Sequence, residues 1–569
     1  MHLPSSTLFF EQIKHLRELI PPQLVDAVDR ARTTVPTAAV VIALPAIYIV
    51  AKYAAAQIRN RRSRHYLAIV DPKTGMRSAV PGPPTSLMQI LTVGQVPEML
   101  AAPSIVAHQS QMMAQYGPAA RTIYLMGAPS LTLSDPKLLH TMMAVKSYDF
   151  SVTEEARAAF TLATGPRGML VIEGDVHKAH RRLINPIFNL KVLKSLLPVM
   201  QSTFSELEQV IRSSKGATID FHSLSVNVTL NVIGRTALDT DFDALSNRAH
   251  AINWAYSRIV AAFSFDLFHT LWRAVPGFRY LPLPGNIALV KARKIVFGRV
   301  SDIMSSKMDG HSLHAAPVKA SDRPSLVAAL FDELSKNPDS ATFTFEDVQN
   351  ELLTFLAAGH ETSSNLFSMI MYYLARQPEI QAKLLRELDG VDPEEYGQCT
   401  YLNWVVHEGL RMHSPAYTTG RKSKYDTTLP LSDGRSLQVP KNTMIFVPIQ
   451  SIHRSTAIYG DDANTFRPER WANLRVATTV ADIPSEEEQV ATGIKTLHPY
   501  QFFPFNAGPR ACIGRQFALM EIRLFVASLV HAFQVEIPSD SPLAAAEPEI
   551  KYGVTASPVA LPLRFVARA

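Results

Sequence analysis

One stretch near the C-terminus restricts the fold more than any other. It reads Pro504-Phe505-Asn506-Ala507-Gly508-Pro509-Arg510-Ala511-Cys512-Ile513-Gly514, that is, Phe-x-x-Gly-x-Arg-x-Cys-x-Gly, and an amphipathic run from Phe517 to Phe533 follows it. Five fixed positions at about 5% each would match by chance in about two of ten thousand chains of this length. Cys512 is one of two cysteines in the chain. Just before a helix, a thiolate is stabilised by free backbone N–H groups and by the positive end of the dipole. Gly508 and Gly514 let the backbone turn tightly around the sulfur and approach a large flat ligand closely. The expectation is therefore a ligating cysteine, not an inert core thiol.

Composition narrows the rest. Hydrophobic residues make up 47% of 569, enough for a large core, and charged residues 19%. The net charge is +6, with no extended basic block interleaved with aromatics, which argues against nucleic-acid binding. Cys399 and Cys512 lie too far apart in sequence to suggest a disulfide framework, and they fit a reducing, cytosol-facing compartment.

Residues 1–32 form a short N-terminal segment. Residues 33–51 then run without a charge, which suits a transmembrane anchor over 33–56. Lys52, Arg59, Arg61, Arg62 and Arg64 outweigh Arg30 and Arg32, so the C-terminal part should face the cytosol. A basic linker over 57–84 ends in the stiff Pro81-Gly82-Pro83-Pro84. Beyond it, over 85–569, the pattern is mainly helical with short strands and no internal repeat.

Four further motifs follow. Thr344-Phe345-Glu346-Asp347 opens a helix with a capping-box pattern that reaches about Arg376 before Pro378. At about 1.5 Å per residue it spans roughly 50 Å. In its middle Ala358-Gly359-His360-Glu361-Thr362-Ser363 breaks an apolar pattern, a conflict of the kind that marks function. Glu408 and Arg411 stand three apart on a helix and can bridge on one face. Phe466-Arg467-Pro468-Glu469-Arg470-Trp471 and the basic run 174–182, with His177 and Arg181, complete the set. The stretches 307–340 and 475–498, the latter with Glu486-Glu487-Glu488, read as solvated loops.

In this order the motifs resemble those of the cytochrome P450 family: its long-helix signature, its E-x-x-R, its P-E-R-W segment and its cysteine loop. The resemblance covers the chain from about residue 81 onward. It implies a mainly α fold with small β-sheets, preceded by one N-terminal transmembrane helix. Cys512 would be the axial thiolate of haem b, in a loop shaped by Phe505, Gly508, Arg510 and Gly514. Arg181 and Arg421 would bind the haem propionates with His177, which stands where the family usually has tryptophan. Ala358 and Gly359 would open a groove for dioxygen, and Glu361 and Thr362 would pass protons into it. Glu408, Arg411 and Arg470 would form a buried structural network.

The implied activity is a monooxygenase acting on a hydrophobic small molecule, with O2 and a membrane-bound NADPH–cytochrome P450 reductase. The implied location is the endoplasmic reticulum membrane, as in fungal microsomal members that oxidise terpenoids, fatty acids or other secondary metabolites. Substrate contacts are expected from 147–170, 259–284, 355–358, 416–419 and 553–555. The alternatives are a desaturation, dehydration or isomerisation at the same site, or a non-catalytic haem protein.

Overall fold

The computed structural model describes residues 66–91, 94–124, 127–246, 251–262, 268–269, 272, 277–308, 325–336 and 343–568, with Ala54, Gln57 and Ile58 besides. The N-terminal segment 1–32 and, apart from Ala54, the anchor 33–56 lie outside the described residues. So do Phe263, Phe265 and Leu271 of the expected substrate region. Among the described residues no single helix is long and apolar enough to cross a membrane.

The helices used below are α1 (Ile105–Tyr116), α2 (Glu154–Thr164), α3 (Gly174–Ile184), α4 (Leu190–Ser213), α5 (Phe221–Ala237), α6 (Ala251–Ala261), α7 (Pro284–Met308), α8 (Leu326–Lys336), α9 (Phe345–Arg376), α10 (Pro378–Leu388), α11 (Thr400–Met412) and α12 (Arg515–Ala532). Their apolar faces form one large core. Helix α9 runs through it and touches α5, α7, α11 and α12. Both bonds of its capping box are made, between Thr344 and Asp347, and it stops at Gln377, the residue before Pro378. Leu352, Leu353, Leu356, Leu366, Phe367, Ile370 and Met371 are buried along its length. Each such side chain stabilises the fold by about 1.5–3 kcal/mol. The helix stays continuous through Gly359.

A smaller core lies under the strands. Strands β3 (Ala119–Ile123), β4 (Pro129–Leu133), β10 (Met444–Val447), β7 (Thr419–Ser423) and β5 (Phe150–Ser151) form a sheet in that spatial order. Only the β4–β10 pair is parallel, and Arg421 on β7 stands opposite Ile445. A second sheet runs β2 (Arg77–Ser78), β1 (Ala68–Val70), β9 (Ser436–Val439), β8 (Thr427–Pro430). Leu67, Ile69 and Val80 are buried in this core, so residues 66–80 pack onto the catalytic body instead of hanging free as linker. Near the C-terminus, β14 (Ile550–Tyr552) and β15 (Ala556–Pro558) form a hairpin beside α9.

Both stretches read as solvated loops contain a helix, and so does the expected substrate stretch 147–170. Residues 154–164 form α2, capped by Thr153. Residues 326–336 form α8, which buries Leu326, Val327, Leu330, Phe331 and Leu334; residues 309–324 and 337–342 lie outside the described residues. The run Glu486-Glu487-Glu488 opens a short helix, Glu486–Thr492, through a capping box with Ser485. Acidic residues in a first turn complement the dipole.

One buried group stands apart. Glu521 on α12 is fully buried, and neither carboxyl oxygen has a hydrogen-bond partner. Burial pushes its pKa up to about 8, against a weaker pull from the Ser363 hydroxyl that does not reach hydrogen-bond geometry. The folded state then binds a proton that the unfolded state has released, from the ordinary glutamate range up to about pH 8. Stability should fall as pH rises through that window. Glu521→Gln should flatten the slope and add a few kcal/mol at pH 8 relative to wild type. Urea unfolding at pH 6 and pH 8 measures this; parallel slopes for the two proteins would refute it.

Candidate active site

The Cys512 loop is built by backbone geometry. The Cys512 N–H donates to the Phe505 carbonyl at 2.8 Å. Asn506 and Gly508 take positive φ values of 62° and 67°. A Cβ on Gly508 would overlap the Met143 carbonyl. That glycine is therefore demanded by its turn and by the neighbouring backbone. Gly508→Ala should lower the thermal midpoint, and an unchanged midpoint would contradict this account. The Cys512 thiol is surrounded by protein yet keeps open surface, so it faces an internal hollow. Burial pushes its pKa up, against the Gly514 N–H, Arg181 and Arg515. A metal ion reverses that balance.

Cations crowd one rim. On α3, Arg181 donates to the Ala511 carbonyl at 2.6 Å, which ties the helix to the cysteine loop. His177, one turn earlier, is buried and shares a 3.0 Å hydrogen bond with the Tyr148 hydroxyl. It is not part of a solvated basic face. Burial, then Arg510, Arg181, His180 and Arg421, drive its pKa down to about 3, so the ring is neutral. Arg421 donates to Thr419 Oγ1 and the Gly420 carbonyl, and burial with Arg510 lowers its pKa to about 10. Arg510 donates to the Ile172 carbonyl at 2.8 Å. None of the three arginines has a carboxylate partner among the described residues. Glu173, the acid acting on Arg421 and Arg510, is already paired with Arg157 at 2.8 Å and Lys424 at 2.9 Å. Buried cations left uncompensated are costly, and the cluster suits a ligand that brings carboxylates.

Phe188 joins this loop to α9. It lies 3.9 Å from where a Cβ on Gly514 would stand, and its ring centroid is 5.4 Å from that of Phe355. Ala358, one turn on, is exposed between the half-buried Ala357 and Gly359. Thr362 Oγ1 donates back to the Ala358 carbonyl at 2.8 Å. The neighbouring carbonyls of Leu356 and His360 bond to His360 Nδ1 and Thr229 Oγ1. Gly359 differs from expectation. A Cβ there would stand 2.6 Å from Ile233 Cδ1 on α5, so this glycine serves close helix packing. Glu361 is held by Thr555, whose hydroxyl donates to Oε1 at 2.7 Å. Burial raises the Glu361 pKa, with Thr555 and Lys551 opposing. Glu361 and Thr362 make no side-chain hydrogen bond to each other.

Glu408, Arg411 and Arg470 meet in the core as a network. Arg411 grips Glu408 with Nε at 2.9 Å and Nη2 at 2.8 Å, and Arg470 Nε reaches Oε1 at 3.0 Å. Two further members join it: Trp471, the last residue of the P-E-R-W segment, donates Nε1–H to Oε2 at 3.0 Å, and Asp462, which lies in no motif, gives Arg470 a second carboxylate at 3.0 Å.

A thiol with open surface, beside cations that lack carboxylate partners, fits a haem-thiolate site. The comparisons agree. The family model Cytochrome P450 matches residues 81–562. Cytochrome P450 monooxygenase 205 of Postia placenta is 30% identical over 80% of this chain and 86% of its own. Cytochrome P450 monooxygenase FUM15 of Gibberella moniliformis is 28% identical over 77% and 79%. Ganoderic acid synthetase CYP5150L8 of Ganoderma lucidum is 26% identical over 80% and 88%. The chain belongs to the cytochrome P450 family and is an oxidoreductase of the monooxygenase type. The family carries a haem-thiolate cofactor and uses O2, a substrate and a redox partner. The residues here fit a haem: one soft ligand in Cys512, and unpaired cations for its carboxylates.

Proposed function

We propose that this protein inserts one atom of O2 into a hydrophobic small molecule of secondary metabolism, with electrons from NADPH through an NADPH–cytochrome P450 reductase. The observation that carries the reading is the open Cys512 thiol beside three arginines without carboxylates. Cys512 would ligate haem b, and Arg181, Arg421, Arg510 and the neutral His177 would hold its propionates. When bound, the haem supplies dioxygen activation, with thiolate donation favouring O–O cleavage. Glu361, whose pKa is raised by burial, is the proton source. The Thr362 hydroxyl passes the proton after releasing the Ala358 carbonyl. Phe355 and Phe188 help exclude water. The ganoderic acid synthetase among the relatives supports a small-molecule substrate of this class.

Product formed under labelled O2 tests the reading, and product without label would overturn it. Thr362→Ala and Glu361→Gln should still consume NADPH. In both, product per NADPH should fall at least about tenfold while peroxide rises. Unchanged coupling would remove the relay.

The charge-free run 33–51 and its heavier basic C-terminal flank support a single-pass endoplasmic reticulum anchor with the catalytic domain in the cytosol. Carbonate-resistant membrane association lost on deleting 1–56 would agree; full extraction of the intact chain would not.

A further inference from the structure

Glu361 does not act alone: Thr555, expected only as part of a substrate-contact turn, and Asn365, given no role, stand beside it. Thr555, at the hairpin between β14 and β15, is buried. Its hydroxyl has one proton, which goes to Glu361 Oε1 at 2.7 Å, and it accepts from Asn365 Nδ2 at 3.0 Å. Asn365, one turn beyond Glu361 on α9, is fully buried, and its Oδ1 has no partner. We propose that Thr555 and Asn365 are positioning residues that form a reversible hydrogen-bond triad with Glu361 and hold its carboxyl in place in both protonation states. The proposal rests on the reading of Glu361 as proton source.

The chemistry follows from the donor inventory. With Glu361 ionised, hydrogen bonds run from Asn365 Nδ2 to Thr555 and from Thr555 to the carboxylate. With Glu361 protonated, the carboxyl O–H donates to Thr555 Oγ1, and Thr555 donates to Asn365 Oδ1 after a half-turn of the amide. Each arrangement makes two bonds and leaves one amide group unpartnered, so neither state is favoured by bond count. A group that must give up a proton and regain one from solvent needs that balance. A fixed partner such as arginine would lock it ionised. The charged neighbour acting on Glu361 is Lys551, from the same hairpin.

The hairpin is itself braced. The Ala556 N–H donates to the Pro415 carbonyl at 2.9 Å, His413 Nε2 bonds the Ala556 carbonyl at 3.0 Å, and the Tyr417 hydroxyl donates to the Gly553 carbonyl at 3.0 Å. Thr555 is thus fixed by its surroundings, while the Asn365 amide can turn.

The test is the infrared carboxyl band of Glu361 in the resting holoenzyme, isolated as the difference between each protein and its Glu361→Gln counterpart. Thr555→Val keeps shape and removes the hydroxyl, and the protonated carboxyl stretch should move to higher frequency. Thr555→Ser should restore it. Asn365→Asp offers acceptors only, so Thr555 should turn towards it and the protonated band should gain intensity. A band unmoved in Thr555→Val, or moved equally in Thr555→Ser, overturns the triad. Should Thr555→Val fail to fold, the Asn365→Asp band decides: no gain in intensity overturns the proposal. Unchanged coupling in Glu361→Gln would instead remove the proton-source role, a failure these bands distinguish from a missing triad.

Discussion

Cys512→Ser is expected to abolish the red-shifted Soret band that the reduced, carbon-monoxide-bound wild type should show. Serine replaces a soft, polarisable donor with a hard hydroxyl that does not ionise readily. The loop should survive the change, because its defining hydrogen bond runs from the residue 512 backbone N–H to the Phe505 carbonyl, and its turn is set by Asn506 and Gly508. The circular dichroism of Cys512→Ser should therefore match wild type while the band is gone. The cations on the rim remain, so the variant should still take up some haem, with an oxygen or nitrogen ligand. A wild type without the red-shifted band would refute thiolate ligation altogether.

The second large effect is structural. Glu408→Gln should cost about 3–5 kcal/mol, because it strands a fully buried guanidinium, that of Arg411. Glu408 accepts two hydrogen bonds from Arg411 and one each from Arg470, Trp471 and the Arg467 N–H, so one neutralised carboxylate weakens five hydrogen bonds. Against a total stability of about 5–15 kcal/mol, most of the soluble holoprotein should be lost. Arg470→Lys should be milder, since Asp462 still offers a carboxylate. Expression yield and urea midpoint measure both. A wild-type midpoint for Glu408→Gln would mean that Arg411 is satisfied by the backbone carbonyls of His453, Ala463 and Thr465.

What could be read from the chain beforehand was whatever local spacing encodes. The capping box at Thr344, the stop before Pro378 and the pairing of Glu408 with Arg411 are local matters and came out as expected. The short helix at 486–492 also had its signal, Ser485 three before Glu488, but three consecutive glutamates hid it. Other features depend on how elements turn towards each other. Gly359 faces Ile233 only because of how α9 is rotated against α5. Asp462 reaches Arg470 through a fold in the chain, and nothing in its own neighbourhood marks it. The raised pKa of the Cys512 thiol reflects burial, which a motif does not carry. Thr555 and Asn365 lie 190 positions apart, and no pattern in the sequence marks their pairing.

The braced C-terminal hairpin also bears on how the enzyme can diversify. Residues 553–555 form one short turn between β14 and β15. Val554 is partly open, whereas Thr555 is spent on Glu361 and Asn365. With Glu361 as the proposed proton source, variation in what the enzyme accepts could accumulate at the first position without touching the proton supply. At the second, a change that altered substrate fit would also disturb the proposed relay. Two adjacent residues thus differ in evolutionary freedom, and a library randomised over this turn should return many active sequences at 554 and, at 555, little beyond threonine and serine.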